Sequence, residues 1–342
     1  MRKIGRALIA LVVLAALGWS AWWAVLAAGQ QAAIERWFAD RRAAGWQAEH
    51  GAVSVGGYPL RLARRIPEVA LADPEAGWAW RLPEVALEGE ATEPTEFTLT
   101  LPEAHVLAVP GERVEITHSR LDAQLGLVPG MGLALAGAAL EGRTLRLAAQ
   151  SGWTAGAKQV TARLSARDAA SGPENSYNLK LIARTVEIPA PVLAELDLTG
   201  LLEAEIEELR IEAYGAFRQP LDRFALEEGR VDLTRAVLRE ARFAWGAMAV
   251  EARGEFRADR RGYAAGKLRL RLTEWRQMID LVRQSGKLPR DMEQAITRAL
   301  ELLVLFSGGG ESLDVPLELS GGKVRIGPVA VADAPRIARP LQ

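Results

Sequence analysis

The side chains of this sequence that are best suited to chemistry are those of its histidines and of two repeated glutamates. The chain has three histidines, His50, His105 and His118, and each stands alone on or beside a predicted strand. Metal sites need ligands clustered at fitting spacing, and these three are not clustered. The absence of cysteine from the sequence excludes disulfides, thiolate metal sites and cysteine nucleophiles. We therefore expect no metal, no cofactor, and histidines that are hydrogen-bonded or face solvent.

Glu68 and Glu84 occupy equivalent places in a short repeat, and two carboxylates could in principle form a general acid–base pair. Because the repeat follows a strand pattern, exposed positions on a pleated strand explain them better. The sequence contains no G-x-S-x-G elbow and no Walker loop, and glycines 308–310 lack the following Lys-Ser/Thr of a phosphate loop. The sequence therefore favours a non-enzymatic protein, with a hydrolase whose site is dispersed along the chain as a lesser alternative.

The composition is that of a folded protein without a nucleic-acid partner. Of the 342 residues, 49% are hydrophobic and 25% are charged, and the formal net charge is -1. Disordered chains contain fewer apolar residues, and nucleic-acid-binding proteins usually show a strong basic excess. We therefore expect a globular protein that binds no nucleic acid.

The chain begins with a basic flank followed by an apolar run. Arg2, Lys3 and Arg6 precede residues 7–28, which contain no charged residue. About 20 apolar residues, at about 1.5 Å of rise each, cross the hydrocarbon core of a bilayer as a helix. Basic residues favour the cytoplasmic side. The sequence thus predicts a single-pass inner-membrane protein with its N-terminus in the cytoplasm and its bulk in the periplasm.

Trp19, Trp22 and Trp23 lie near the far end of the run, where indole rings favour the headgroup boundary. With the basic flank they form the predicted membrane-anchoring residues, and inner-membrane lipid is the predicted partner. Two other interpretations stay open. Residues 25–27 resemble a signal-peptide cleavage site, although the run exceeds the usual apolar length of about 7–15 residues. The run could also be a buried core helix.

Beyond the apolar run, helix-forming residues continue to Gly45, so residues 1–45 are predicted to form the anchor and a continuing helix. From residue 46 the period changes to the alternation of strands, and 46–342 is predicted to form a β-rich periplasmic domain with a possible seam at 188–191. Helices are predicted over 192–196, 274–282 and 290–306, with Gly286 and glycines 308–310 ending the last two.

The predicted fold class is mainly β with minor α. A transmembrane helix is followed by an extended, curved antiparallel β-sheet or groove-like sandwich with a late helical pair. Residues 263–272 show the longest alternation, with Leu and Ala on one face and Lys and Arg on the other. An apolar sheet face left open would be a groove for acyl chains, whereas a covered one would be a closed core.

A local repeat lies early in the β-rich part. Segment 65–71 recurs at 81–87, and residues 73–77 between the copies have turn composition. The spacing suits strand, turn and strand, and residues 78–80 alternate out of the turn, so the two copies are predicted to run parallel with one antiparallel strand between them. Each copy then has its proline at a strand start, where no ladder hydrogen bond is lost.

The order of several short motifs resembles a Gram-negative, alphaproteobacterial envelope family, the domain of unknown function 2125. These motifs are Trp22-Trp23, R-R-A-A-G-W at 41–46, V-S-V-G-G-Y-P-L-R-L at 53–62, A-L-A-D-P at 70–74, W-A-W at 78–80, V-P-L at 315–317 and G-K-V-R-I-G-P at 322–328. The resemblance covers most of the chain and implies no catalytic residues. More distantly, an anchor followed by repeated strands looks like AsmA-type envelope proteins, which implies an elongated β groove for lipid handling or outer-membrane homeostasis.

The favoured hypothesis is therefore a non-enzymatic, membrane-anchored periplasmic protein. It would bind or pass an apolar lipid ligand, or support envelope homeostasis, through the apolar face of its sheet. The alternative is a scaffold that binds another envelope protein through an exposed strand edge.

Overall fold

The computed structural model describes residues 2–167, 173–196, 202–227, 229, 231–285, 290–307 and 310–340. The structure confirms a mainly β protein with an N-terminal apolar helix, a large antiparallel sheet and short late helices. The chain divides into two compact units. One is Met1–Gly126 with Ala149–Ser151, and the other is Leu127–Ala148 with Gly152–Gln342. The segment 188–191, where the sequence suggests a seam, lies inside the second unit.

The first unit contains the helix α1 (Arg2–Ala43) and eight strands. The strands are β1 (Gln47–Glu49), β2 (Ser54–Gly56), β3 (Arg61–Asp73), β4 (Trp78–Glu90), β5 (Glu96–Thr100), β6 (Ala104–Val109), β7 (Glu112–Thr117) and β8 (Arg120–Leu127). α1 runs without interruption from the apolar run into the polar segment after it. It ends just before Gly45, whose φ of 89° suits a helix terminus.

The polar half of α1 packs on the strands of the first unit. Phe38 is only 3% exposed and lies in a buried cluster with Ile66 and Leu82, and Ile34 packs against that cluster one turn earlier. Residues four apart lie on the same side of a helix, so these two side chains form one apolar stripe. On the other side of α1, Trp37 is 44% exposed. This half of α1 is therefore part of the folded unit.

The repeat at 65–71 and 81–87 forms one antiparallel pair, so the expectation of two parallel copies was wrong. β3 and β4 pair directly across the turn, with Ile66 opposite Val85. Residues 78–80 do not form a separate strand, because Trp78 begins the same strand that carries the second copy. The turn composition between the copies therefore closes a simple hairpin.

Pro67 and Pro83 lie inside these strands and not at their starts, which corrects a second expectation. The carbonyl of Pro67 points to the outer edge of β3 and accepts a hydrogen bond from the Gly51 N–H at 2.8 Å. The N–H and C=O groups of one residue point to the same side of a strand, so the N–H that Pro67 lacks would also have pointed to this edge. On this edge β2 pairs with β3 before Pro67 and β1 pairs with β3 after it, so Pro67 lies in the gap between the two pairings. Pro83 stands opposite Glu68, whose φ is 53° and which lies outside the paired register. The ladder is interrupted there, so the proline removes no bond from it.

The second unit contains a ten-stranded antiparallel sheet in which each strand pairs with the next one in the chain. The strands are β9 (Leu135–Ala149), β10 (Thr154–Ala166), β11 (Ser176–Glu187), β12 (Glu205–Phe217), β13 (Leu233–Trp245), β14 (Met248–Ala258), β15 (Ala264–Thr273), β16 (Ser312–Ser320), β17 (Lys323–Ile326) and β18 (Val329–Asp333).

Four helices accompany this sheet: α2 (Ala190–Leu196), α3 (Arg223–Glu227), α4 (Trp275–Ser285) and α5 (Arg290–Ser307). The last two are the predicted late helical pair, whereas α3 has no counterpart in the sequence prediction. Gly286, Gly308 and Gly309, the glycines predicted to end α4 and α5, lie outside the described residues.

Replacing Phe38 with alanine should lower the free energy of unfolding by about 3–5 kcal/mol, because it removes a buried ring and leaves a cavity between α1 and the strands. The matched control is Arg36→Ala, which is exposed on the side of α1 opposite Phe38, with an expected loss below about 1 kcal/mol. Guanidinium titration of the detergent-solubilised full chain, followed by circular dichroism, measures both. Equal losses would show that α1 is not packed in this way.

Candidate functional site

The ten-stranded sheet carries apolar side chains on one face and charged side chains on the other. Residues paired across antiparallel strands point to the same face, so the register defines rows that cross the sheet. One row runs from β9 to β16 without a charged residue: Leu140, Ala162, Leu181, Ile211, Ala241, Ala252, Leu270 and Val315.

Two further uncharged rows flank this one. They consist of Ala138, Leu164, Leu179, Ala213, Leu238, Gly254, Leu268 and Leu317 on one side, and of Gly142, Val160, Ala183, Leu209, Phe243, Val250, Leu272 and Leu313 on the other. A bulge in β13 separates Leu238 from Ala241 by three positions, and its extra residue keeps both side chains on the same face. We call these three rows the apolar face.

The apolar face is buried at one end and partly exposed across most of its width. At β16, Leu313 and Val315 are each 1% exposed, because α4 and α5 pack over them. Towards β9 the side chains of Leu181 and Ile211 are half-buried, and Leu179 is 36% exposed. Each Å² of apolar surface in contact with water costs about 25 cal/mol, which a bound hydrocarbon would recover.

A small cavity lies where the helical pair meets the sheet. Its volume is about 180 Å³, and it is lined by Leu272, Trp275, Met278, Ile279, Glu293, Ile296, Thr297 and Leu300. The indole N–H of Trp275 donates to the carbonyl of Gly310 at 3.3 Å, which fixes the start of α4 beside the cavity. Apolar cavities of about 150 Å³ take up molecules of the size of benzene. This cavity therefore has room for a short piece of an acyl chain.

Ion pairs connect neighbouring strands on the opposite face. Lys180 of β11 binds Glu212 of β12 at 2.8 Å, and Arg271 of β15 binds Asp314 of β16 at 3.0 Å. The hydrogen bond from each cation lowers the pKa of its partner carboxyl group. A surface depression of about 730 Å³ on this face is lined largely by charged residues such as Lys267. This face is suited to water, which leaves the apolar face as the candidate for a hydrocarbon ligand.

The predicted anchor tryptophans are placed in the first unit, beside residues 57–61, which we call the 57–61 loop. The indole N–H of Trp19 donates to the carbonyl of Pro59 at 2.8 Å, and that of Trp23 donates to the carbonyl of Arg61 at 3.0 Å. Trp22 is 51% exposed. Two of the three rings therefore connect α1 to the loop, a contact between distant segments that the sequence pattern does not reveal.

The other predicted anchor residues, Arg2, Lys3 and Arg6, belong to α1. Their side chains lie outside the described residues. Contact of these cations and of the tryptophans with a membrane stays a prediction.

Two histidines that were expected to stand apart come together in the first unit. His105 in β6 is 3% exposed, His118 after β7 is 6% exposed, and their ring centroids are 5.6 Å apart. Nδ1 of His105 donates to the carbonyl of Pro102 at 3.2 Å, whereas both ring nitrogens of His118 are buried without a hydrogen-bond partner. Burial lowers the pKa of both imidazoles. The structure therefore corrects the expectation that these rings stand alone. His105 is hydrogen-bonded as expected, whereas His118 is neither hydrogen-bonded nor solvent-facing.

The remaining candidates for chemistry are His50 and the two repeated glutamates. His50 is half-buried, and its Nδ1 donates to the carbonyl of Gly51 at 2.7 Å. Glu68 and Glu84 are exposed on the paired strands β3 and β4. Among the described residues, no group of three His, Asp or Glu side chains is placed to hold a metal ion.

The sequence pattern predicted an apolar sheet face but not which residues of the eight strands form its rows. Several strands carry an apolar residue on the charged face too, as Ile182 does in β11 opposite Arg210 of β12. Only the register, which follows from the succession of hairpins, aligns the apolar positions of eight strands. The usable signal in the sequence was the short spacing between strands, which predicts that neighbours in the chain are neighbours in the sheet.

Comparison with protein families matched the model of a family described as an uncharacterized protein conserved in bacteria, DUF2125, over residues 23–335. The comparisons with curated proteins and with solved structures gave no match. The matched span begins inside α1 and includes strands of both units.

The buried histidine pair should make the stability of the first unit depend on pH. Burial lowers the pKa of His105 and His118 below the value of about 6.5 in the unfolded chain, so the unfolded state binds more protons below that pH. The free energy of unfolding is expected to be level above about pH 7 and to fall as the pH drops through about 6.5 towards the folded-state pKa values.

Thermal melts from about pH 5.5 to 8 compare the wild type with the double variant His105→Phe, His118→Phe. The variant keeps two flat rings in place but has nothing to protonate, so its melting temperature should stay level where that of the wild type falls. A parallel decline in both proteins would assign the effect to other groups.

Proposed function

Because the chain belongs to the bacterial DUF2125 family, whose model matches it over residues 23–335, we propose that it is a membrane-anchored, non-enzymatic protein of the cell envelope that binds lipid acyl chains on its apolar face. The observation that carries the proposal is the three uncharged rows across eight strands, partly exposed towards β9. The bulk of the chain lies in the periplasm, and α1 holds it in the inner membrane.

The anchor is supported by the length and the surroundings of α1. From Ile9 to Ala43 it contains a stretch with a mean hydropathy of 2.1, and none of that stretch is buried. Leu11 and Leu17 are 64% and 61% exposed, which disfavours a core helix. In water such a surface is costly, whereas lipid tails cover it without loss.

Continuity of α1 favours an anchor over a cleaved signal peptide. The helix passes through residues 25–27 without a break, and Ala27 is 9% exposed in a cluster with Leu62. Cleavage after Ala27 would remove Trp19 and Trp23 together with their hydrogen bonds to the 57–61 loop. The basic flank, Arg2, Lys3 and Arg6, favours a cytoplasmic N-terminus.

The apolar face fits hydrocarbon in chemistry and in extent. It offers many weak contacts and, across three rows, no charged or hydrogen-bonding side chain, so it would select chain length and bulk and not a particular headgroup. The helical pair closes one end of the face, and the cavity beside Trp275 marks where the end of a chain would lie. The ion pairs of the opposite face keep that side in water.

Adjacent residues of β11 provide a matched test of acyl-chain binding. Leu181→Asp places a carboxylate in the middle row of the apolar face, whereas Ile182→Asp makes the same change on the charged face. A tenfold change in affinity corresponds to about 1.4 kcal/mol of binding free energy. Burying an unpaired carboxylate against hydrocarbon costs well over that amount. Leu181→Asp should therefore reduce uptake of a photoreactive fatty acid by at least about tenfold, while Ile182→Asp leaves it near the wild-type value.

The measurement uses delipidated, detergent-solubilised full chain, with circular dichroism to show that both variants are folded. Equal loss in both variants, or no uptake by the wild type, would contradict acyl-chain binding. If the wild type takes up no lipid but crosslinking in cells recovers one stoichiometric envelope protein, the strand-edge scaffold is the better description.

A further inference from the structure

We propose that the 57–61 loop is inserted in the outer leaflet of the bilayer beside α1, where its apolar side chains and Trp22 contact lipid. This inference rests on the proposed membrane anchor. It adds a second membrane contact that fixes the first unit on the bilayer surface. The partner is the lipid bilayer itself.

The depth follows from the length of the apolar run. Residues 7–28 extend over about 33 Å as a helix, and the hydrocarbon core is about 30 Å thick. Counted from Ala7, Trp19 lies about 18 Å and Trp23 about 24 Å along the axis, so both are inside the core. Pro59 and Arg61, which these two indoles bind, are held at the same level. The loop is therefore several ångströms inside the outer boundary of the hydrocarbon.

Most carbonyls of the loop are hydrogen-bonded within the protein, which lowers the cost of entering lipid. In hydrocarbon, each unpaired backbone polar group costs several kcal/mol, so backbone at that depth must be satisfied internally. Four carbonyls of the loop accept hydrogen bonds at 2.8–3.0 Å: Gly57 from the Arg61 N–H, Pro59 from the Trp19 indole, Leu60 from the Ala91 N–H, and Arg61 from the Trp23 indole. Pro59 has no N–H to satisfy.

The polar atom of Tyr58 is satisfied by α1 as well. The hydroxyl of Ser20 donates to the carbonyl of Ala16 at 2.7 Å, so it accepts from the hydroxyl of Tyr58 at 2.8 Å. The Tyr58 ring packs edge to face on Trp23, with centroids 5.5 Å apart. The loop is thus fixed to the helix at three places by groups that would otherwise need water.

The surface that the loop presents outward is apolar. Tyr58 is 54% exposed and Leu60 65% exposed, and on the adjoining surface of α1 Trp22 and Val25 are 51% and 67% exposed. Exposed loops of water-soluble units are normally polar. The next residue, Arg61, is exposed and long enough for its guanidinium to reach the phosphate level.

The loop also has a fixed backbone shape. Gly57 has a φ of 96°, and a Cβ at this position would stand 2.8 Å from the carbonyl oxygen of Arg61. Only glycine fits a turn closed this tightly at that φ. The apolar tip is therefore presented in one conformation, and no ordering cost is incurred when it meets lipid.

The absence of native cysteine allows the loop to be probed with single cysteines in the full chain. The probe is an environment-sensitive fluorophore on Leu60→Cys. Leu17→Cys is the marker for the middle of the apolar run 7–28, and Ala76→Cys, on the exposed β3–β4 turn, is the marker for water. The three proteins are reconstituted in vesicles of phosphatidylethanolamine and phosphatidylglycerol. Lipid-borne nitroxides placed close to the headgroup or at the chain middle, and iodide in the water, act as quenchers.

Leu60→Cys should lose emission to lipid-borne nitroxide and be protected from iodide, whereas Ala76→Cys should show the opposite. Leu17→Cys should be quenched best by nitroxide at the chain middle. The double variant Trp19→Phe, Trp23→Phe, which removes both indole N–H donors, should reduce the lipid quenching at Leu60→Cys without changing that at Leu17→Cys.

Quenching of Leu60→Cys by iodide, with Leu17→Cys still quenched from lipid, would overturn the loop insertion and leave the anchor intact. Protection of Leu60→Cys from both quenchers would show that protein covers the loop and would overturn it too. If Leu17→Cys is not quenched from lipid, the anchor itself fails, and the loop insertion fails with it.

Discussion

Residues paired across antiparallel strands point to the same side of a sheet, and the second unit depends on this rule through eight consecutive strands. Each strand alone has an imperfect alternation, and β11 carries Ile182 on its charged face. The register nevertheless places Leu181, Ile211 and Leu270 in one row and the cations and carboxylates on the other side. A slip of one residue in any strand pair would move apolar side chains to the charged face of the sheet. The ion pairs, such as Lys180 with Glu212, therefore also favour the correct register.

The helix α1 combines an exposed apolar half and a half packed on the folded unit in one continuous element. Its first half has exposed apolar side chains, and its second half buries Phe38 among the strands of the first unit. The change occurs over the turns that carry Trp19 and Trp23, where the helix becomes a partner for the 57–61 loop. Since a continuous helix keeps its own hydrogen bonds in both surroundings, no flexible linker is needed between the apolar segment and the folded unit. The first unit is thus fixed at a defined height along the helix.

The sequence predicts the elements of this fold better than their pairing. Periodicity and composition predict the apolar helix, the mainly β body and the helices near α4 and α5, because these depend on neighbouring residues. The pairing of the two repeat copies depends on whether Trp78 starts a new strand or continues one, and local pattern does not decide this. Pro67 and Pro83 suggested strand starts because a proline inside a strand normally costs a ladder hydrogen bond. The gaps in the hydrogen-bond ladders that accommodate these two prolines are formed by distant segments, which the local sequence does not reveal. His105 and His118 meet for the same reason, since β6 and β7 bring them together only in three dimensions.

The strands from β9 to β18 are joined in the order in which they are synthesised, and this has a consequence for how the sheet assembles. A strand that pairs with its immediate predecessor closes only a short loop, so each addition costs little chain entropy. The longest connection, between β15 and β16, is itself folded into α4 and α5. A nascent or translocating chain presents its N-terminal segments first, and here every newly emerged strand finds its template already in place. Growth from a first hairpin, one strand at a time, keeps the exposed edge transient and limits mispairing during biogenesis.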